Sequence, residues 1–397
     1  MIVVAGFAAL QFRRVQLPRI KPMKWIRSIC VVLLCYSVAA ASGAAAEDAF
    51  VLFGSHSSGP QIGFSIARFN LTTGLLETPH FLLQSSAPAY FVLGRSERFL
   101  YTCNSDGFVS AYKVDPEKGE LTFLNKLPTS GEDPSYVSLD NTNRYLFVAN
   151  YQGGSIAAWA LQPDGSLGEQ TVFIQDVGHS VDPKRQTRPF AHSIVVSPSN
   201  RFVLAADLGL DKVFVYRLDP LTGKLSPNST SFAAVPPGTG PRHIVFHPNG
   251  RWVFVVTEMG STVEFFRWND RQGVLSHEQS ISTLPADFHG VSTAAEIRVS
   301  PDGRYLYTSN RGHDSITVFA IDPADGRIRP IQTVPSGGRT PRNFEADPSW
   351  RWLLVTNQDS NNAQVFHIDR TTGKLTAAGD PVAVPSTFSP RFLIPPR

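Results

Sequence analysis

A turn that contains Asp or Asn and ends in glycine recurs seven times along this chain, at Gly74, Gly119, Gly165, Gly223, Gly273, Gly326 and Gly373. The intervals are 45, 46, 58, 50, 53 and 47 residues, and a repeat of that length fixes the architecture before any single residue does. Each turn follows an alternating or aromatic-rich run, from "GFSIARF" to "NAQVFHI", and the glycine supplies the positive φ of a tight hairpin. Upstream lies a second run, such as "RYLFVAN" or "RWVFVVTE", which in six units opens with an Arg (Arg98, Arg144, Arg201, Arg251, Arg304, Arg351) that recurs as scaffold. A third run precedes those six, and a fourth follows each glycine. Four antiparallel strands in about 50 residues is the size of a propeller blade.

The N-terminal unit starts at its second strand, and "SPRFLI" at Ser389–Ile394 has the form of the missing innermost strand. The expected fold is therefore all-β, a seven-bladed β-propeller of four-stranded antiparallel blades over residues 47–397, whose C-terminal strand completes the first blade and closes the ring.

Residues 1–46 obey different physics. They hold six of the 36 Lys and Arg residues and no Asp or Glu, and the 13-residue apolar run Ile29–Ala41 leads into Ala44-Ala45-Ala46. That pattern is a signal peptide, with Met23 as a second possible start, and it implies an exported protein, periplasmic or extracellular. The run is too short for a transmembrane helix, so no stable membrane anchor is expected. Without this segment 30 basic residues face 33 acids, which argues against nucleic acid as a partner, and only Cys103 remains, so no internal disulfide can form.

In a propeller, the loops that lead into each innermost strand and those between the second and third strands open on one face, around the central channel. Nine and eight residues before each scaffold Arg stand Ala89-Tyr90, Ser135-Tyr136, His192-Ser193, Arg242-His243, Ala295-Glu296 and Arg342-Asn343, and the closing strand offers Arg391-Phe392. Seven residues after the Arg stand Ser105, Tyr151, Leu208, Glu258, Arg311 and Gln358. His192, Arg242, Glu258, Arg311, Arg342 and Arg391 break the repeat on one face. Arg groups suit an anionic small molecule, and His or Glu can move a proton. The 58-residue interval adds a loop, "DVGHSVDPKRQTRPFAHS", whose Lys184, Arg185 and Arg188 should overhang this mouth. The sequence contains no His-Glu-x-x-His, paired Cys or phosphate loop, and His56, His179, His289 and His313 are scattered, so neither metal nor cofactor is expected.

The stretches "GPRHIVFHPNGRWVFVVTE", "AAEIRVSPDGRYLYTSNRGHDSITVFAID" and "PRNFEADPSWRWLLVTNQDSNNAQVFHID" resemble the seven-bladed propeller lactonases, the family of the propeller-type 6-phosphogluconolactonase and the fungal carboxy-muconate cycloisomerase. The resemblance implies a hydrolase that opens a small anionic sugar-type lactone, with the family's site residues falling on His192, Arg242, Glu258 and Arg311; together with the mouth positions counted from the blades, this gives His192, Glu258 and Arg311 as catalytic and Arg242, His243, Arg342 and Arg391 as binding substrate. A monomer is expected. Phe190 stands where the family often has a second His, and Gly54-Ser55-His56-Ser57 replaces its Gly-Thr-Tyr-Thr. Two other readings remain at this level: a cycloisomerase-like activity on an anionic lactone, and an exported, non-enzymatic propeller that binds a protein or glycan.

Overall fold

The second strand of a blade reads as an unbroken apolar run because neighbouring blades cover both its faces. Tyr145–Asn150, Phe202–Asp207, Trp252–Thr257 and Trp352–Asn357 are buried at every position, whereas the outer strand Leu225–Ala234 is mostly exposed. The computed structural model describes residues 48–55 and 62–395 and arranges them as seven antiparallel sheets in a ring. The proposed signal segment and His56 lie outside the described residues.

Blade 1 is built from both ends of the described chain: Thr387–Leu393 pairs with Asp48–Ser55, which pairs in turn with Gly63–Asn70 and then His80–Gln84. The expected closure is thus present. Blades 2 to 6 run in order through Pro88–Pro128, Pro134–Gln175, Ala191–Ala234, Pro241–Ser282 and Thr293–Pro335. Blade 7 starts at Pro341–Ala346, and its outer edge is split into Leu375–Ala377 and Val382–Ala383. A short 3-10 turn, Leu208–Leu210, is an addition to the all-strand expectation.

The repeated glycines do more than turn the chain. A Cβ on Gly165 would meet the Phe99 ring at 2.1 Å, one on Gly223 the Tyr145 ring at 2.3 Å, and one on Gly373 the Tyr305 ring at 2.3 Å. Gly74 does the same against Trp352, so the clasp between blades 1 and 7 matches the others. In each case the aromatic follows the scaffold Arg of the preceding blade, and that Arg often donates to the same turn, as Arg144 does to the Pro220 carbonyl and Arg351 to that of Leu71. Gly223→Ala therefore imposes a side chain at φ +70° and a clash with Tyr145 together. It should cost about 2–4 kcal/mol in urea unfolding, and a loss under about 1 kcal/mol would mean the clasp yields freely.

One blade interface carries a pair of buried acids. Asn104, Asn150 and Asn357 end their second strands and Asn310 stands one residue before the end of its own, and each donates to a third-strand side chain, namely Ser110, Ser155, Asn362 and Ser315 respectively. Between blades 5 and 6, the Thr283 hydroxyl also donates to Asn310 Oδ1 at 2.6 Å. Blade 4 has Asp207 at the Asn position, and blade 3 presents Asp176 to it where Thr283 stands later in the ring. Both carboxyls are buried, and Oδ2 of each lacks a donor, which a single shared proton would supply. Burial first, and then the facing Asp207 charge, pushes Asp176 up to about 8.

Candidate active site

Each innermost strand enters through a bulge, and in five blades the bulged residue (Phe388, Ala89, Ser135, His192 or Arg342) lines the mouth of the channel, whereas Arg242 in blade 5 and Ala295 in blade 6 do not. The pairings Pro241↔Thr257 and His243↔Val256 leave Arg242 as the extra residue, and the same shift occurs at His192, Ser135, Ala89 and Arg342. Below them, the second residues of these pairs fill the channel. Tyr90 and Tyr136 stack at 4.2 Å, the His243 ring meets both edge-on, and Glu296 lies 3.3 Å from His243 Nδ1.

The closing strand corrects one expectation. Its bulge falls between Thr387 and Ser389, so Phe388 occupies the mouth position and Arg391 lies three residues deeper. There Arg391 pairs with Glu345, which Arg298 also holds at 3.0 Å, in a layer beyond the tyrosines. Arg391 is therefore absent from the mouth. His243 is likewise withdrawn from it, buried in the layer beneath.

Above that layer is a cavity of about 420 Å³, lined by His192, Glu258, Arg311 and Arg342 together with Ser105, Asp133, Ser135, Tyr151, Arg185, Gln358 and Phe388. Every second-strand position expected at the mouth is among the lining residues except Leu208, which is buried in the 3-10 turn. The Glu258 carboxylate organises the cavity. Its Oε1 accepts from Arg185 at 2.7 Å, its Oε2 accepts from Arg242 Nε at 3.2 Å and is ion-paired with Arg311 at 2.9 Å, and His192 Nε2 lies 3.9 Å away. Burial alone would raise the Glu258 carboxyl, but Arg311, Arg242, His192 and Arg185 together hold it well below the usual range, as an anion.

Arg242 serves as a support. It is 2% exposed, and its NH1 is occupied by the Ala295 carbonyl at 2.5 Å and by His243 Nε2 at 3.0 Å, so it steadies Glu258 from below and offers the cavity little. His192 is pushed well below its ordinary value by burial, then by the charge of Arg242, and stands neutral with Nδ1 unbonded. Arg342 lies over the Phe388 ring at 4.1 Å with Gln358 Oε1 at 3.4 Å. Among the described residues no carboxylate pairs with it. Burial and the nearby Arg242 and Arg311 lower it to about 9, still cationic at neutral pH.

The remaining wall comes from the long loop. Asp182 Oδ1 accepts from the Lys184 and Arg185 amides, each at 2.8 Å, and buried Gln186 donates to the Leu208 carbonyl at 2.9 Å, which fixes Arg185 at the rim. Arg185 also donates to the Tyr151 hydroxyl at 3.3 Å, while Lys184 and Arg188 do not line the cavity. Phe190 packs on Tyr151 with ring centroids 5.1 Å apart. Among the described residues no three His, Cys, Asp or Glu side chains gather as metal ligands.

Seven blades, a carboxylate bound by three guanidiniums and a neutral imidazole beside it meet a decisive match: the model of the family described as "Lactonase, 7-bladed beta-propeller" fits residues 50–392. The chain belongs to that family. A protein named 6-phosphogluconolactonase, from Bacillus subtilis (strain 168), is 34% identical to this chain over 344 residues, 86% of this chain and 97% of that protein. Among solved structures, the periplasmic gluconolactonase of Pseudomonas aeruginosa superposes with a TM-score of 0.83 at 33% identity, over 88% of this chain and all of that one. Membership in this lactonase family makes lactone hydrolysis the activity to which the site is to be compared.

Proposed function

We propose that the protein is an exported lactonase that opens an anionic, sugar-type lactone in the cavity at the channel mouth. The observation that carries the reading is the division of labour in that cavity: a neutral imidazole beside a carboxylate held ionised by three guanidiniums, facing a fourth guanidinium, that of Arg342, which has no carboxylate at ion-pair distance among the described residues. The family and the names borne by its B. subtilis and P. aeruginosa relatives support lactone chemistry, and the basic, apolar N-terminal segment supports export.

In this scheme Arg342 docks the substrate's anionic group and Arg311 faces the carbonyl. Water attacks the carbonyl carbon and gives a proton to His192, Glu258 stabilises the resulting imidazolium, and Arg311 stabilises the oxyanion. Collapse breaks the bond to the ring oxygen, which takes the proton back from His192, so the product is the open-chain hydroxy acid. Glu258, its lone pairs engaged by arginines, is a poor base, and the choice left open by the sequence falls on His192.

Purified protein should release acid from 6-phosphogluconolactone or glucono-δ-lactone, and His192→Ala should lower kcat by about 10²–10⁴-fold. Because burial holds His192 below its ordinary value, the acid limb of the pH–rate profile should begin under pH 6.5. Unchanged turnover in His192→Ala would remove it from the reaction. Accumulation of the full-length protein in the cytoplasm would refute export.

A further inference from the structure

Arg185 holds an unusual place among the groups around Glu258. Oε2 is shared by Arg311 and Arg242, both themselves bonded to backbone carbonyls, whereas among the described residues Oε1 is bound by Arg185 alone. Arg242 and Arg311 side chains are 3% and 13% exposed, and that of Arg185 is 43% exposed. Its backbone is fixed by the Asp182 turn and buried Gln186, so the long side chain is the movable part. Its other contact, the Tyr151 hydroxyl at 3.3 Å, is weak. Across the same cavity stands Arg342, which has no carboxylate within ion-pair distance among the described residues.

We propose that Arg185 is an anion latch. A ligand carrying an oxyanion remote from its reacting end draws the Arg185 guanidinium off Glu258 Oε1, and the oxyanion is then held between Arg185 and Arg342. The exchange swaps one charge-assisted contact for another, so it costs little, and guanidinium forks match phosphate and carboxylate oxygens alike. Two consequences follow. Ligands with the remote oxyanion are preferred over those without it, and Glu258 Oε1 loses a donor only while such a ligand is bound, which increases its pull on a protonated His192. Selection and activation are thereby tied to one side chain. This inference rests on reading the cavity as the lactone site, but the latch itself is a binding device and can be measured without turnover.

The test is calorimetric titration of the whole protein with three open-chain probes: 6-phosphogluconate, glucarate, which has a carboxylate in place of the phosphate-bearing carbon, and gluconate, which lacks a remote charge. Wild type should bind at least one of the first two about tenfold more tightly than gluconate. Arg185→Gln should bring that ratio below about threefold, Arg185→Lys should recover part of it, and the unfolding midpoint of both variants should match wild type because the side chain is half exposed. Which charged probe wins tells phosphate from carboxylate. No preference in wild type, or a preference that survives Arg185→Gln, overturns the latch. Preference without turnover of any lactone keeps the latch and removes the lactonase reading; turnover without preference does the reverse.

Discussion

Glu258→Gln should lose about 3–5 kcal/mol of stability at pH 7 and most of its lactone turnover, about 10²-fold or more in kcat. The stability loss comes from what remains behind. Arg242 is 2% exposed and its charge is balanced chiefly by Glu258, so a neutral amide leaves a buried guanidinium facing Arg311 without an anion between them. The pH dependence has a definite sign. The folded-state carboxyl lies well below its ordinary value of 4.5, so the stabilisation is complete above that value and is lost as pH falls through the folded value. Urea unfolding of wild type and variant should therefore differ most at neutral pH and converge in acid. A variant as stable as wild type at pH 7 would mean that burial already consumes what the ion pairs supply.

Asp176→Asn should act in the opposite direction and stabilise the protein by about 2–4 kcal/mol at pH 7. Burial, then the facing Asp207, raises the folded-state carboxyl from its ordinary 3.8 to about 8. Between those values the folded protein must retain a proton that the unfolded chain has already released, so wild-type stability falls as pH rises from about 4 to about 8. The amide supplies the missing donor permanently, and the variant's stability should be flat across that window. Thermal unfolding at pH 5 and pH 8 distinguishes the two; a wild type equally stable at both would show that the pair is ionised at no cost. Asp207 also caps the turn beside His192, accepting from the Phe190 and Leu210 amides at 2.9 and 3.1 Å. The acidic pair therefore sits under the loop that presents Arg185.

The fold was legible because its signal repeats: a glycine turn that recurs seven times can hardly be mistaken, and the half-blade left at one end named its complement at the other. The site was legible where blades could be counted against each other. His192 and Arg342 were counted back, and Glu258 and Arg311 forward, from a scaffold Arg in their own blade, and all four line the cavity. The closing strand has no such Arg, and its Pro390-Arg391 imitates the Pro241-Arg242 and Pro341-Arg342 that open other blades. Its register instead pairs Pro390 with Phe53, which puts the imitation three residues too deep. Depth was the other missing dimension. Neighbours in sequence, Arg242 and His243 fall in different layers, and whether a guanidinium is free or occupied depends on partners from other blades. Arg185 lay in the loop marked as overhanging, but nothing in a single sequence says which of its three cations reaches inward.

The stacked tyrosines, with His243 and Glu296 beside them, fill the axis of the ring below the cavity. A toroid is easily imagined as a tunnel, with traffic entering at one end and leaving at the other. Here aromatic and charged side chains pack together beneath the cavity instead of leaving an open bore. On the proposed reading of that cavity, the open-chain acid leaves by the opening through which the next lactone arrives, so product competes with substrate and its release sets a ceiling on throughput that no improvement in the chemical step can lift.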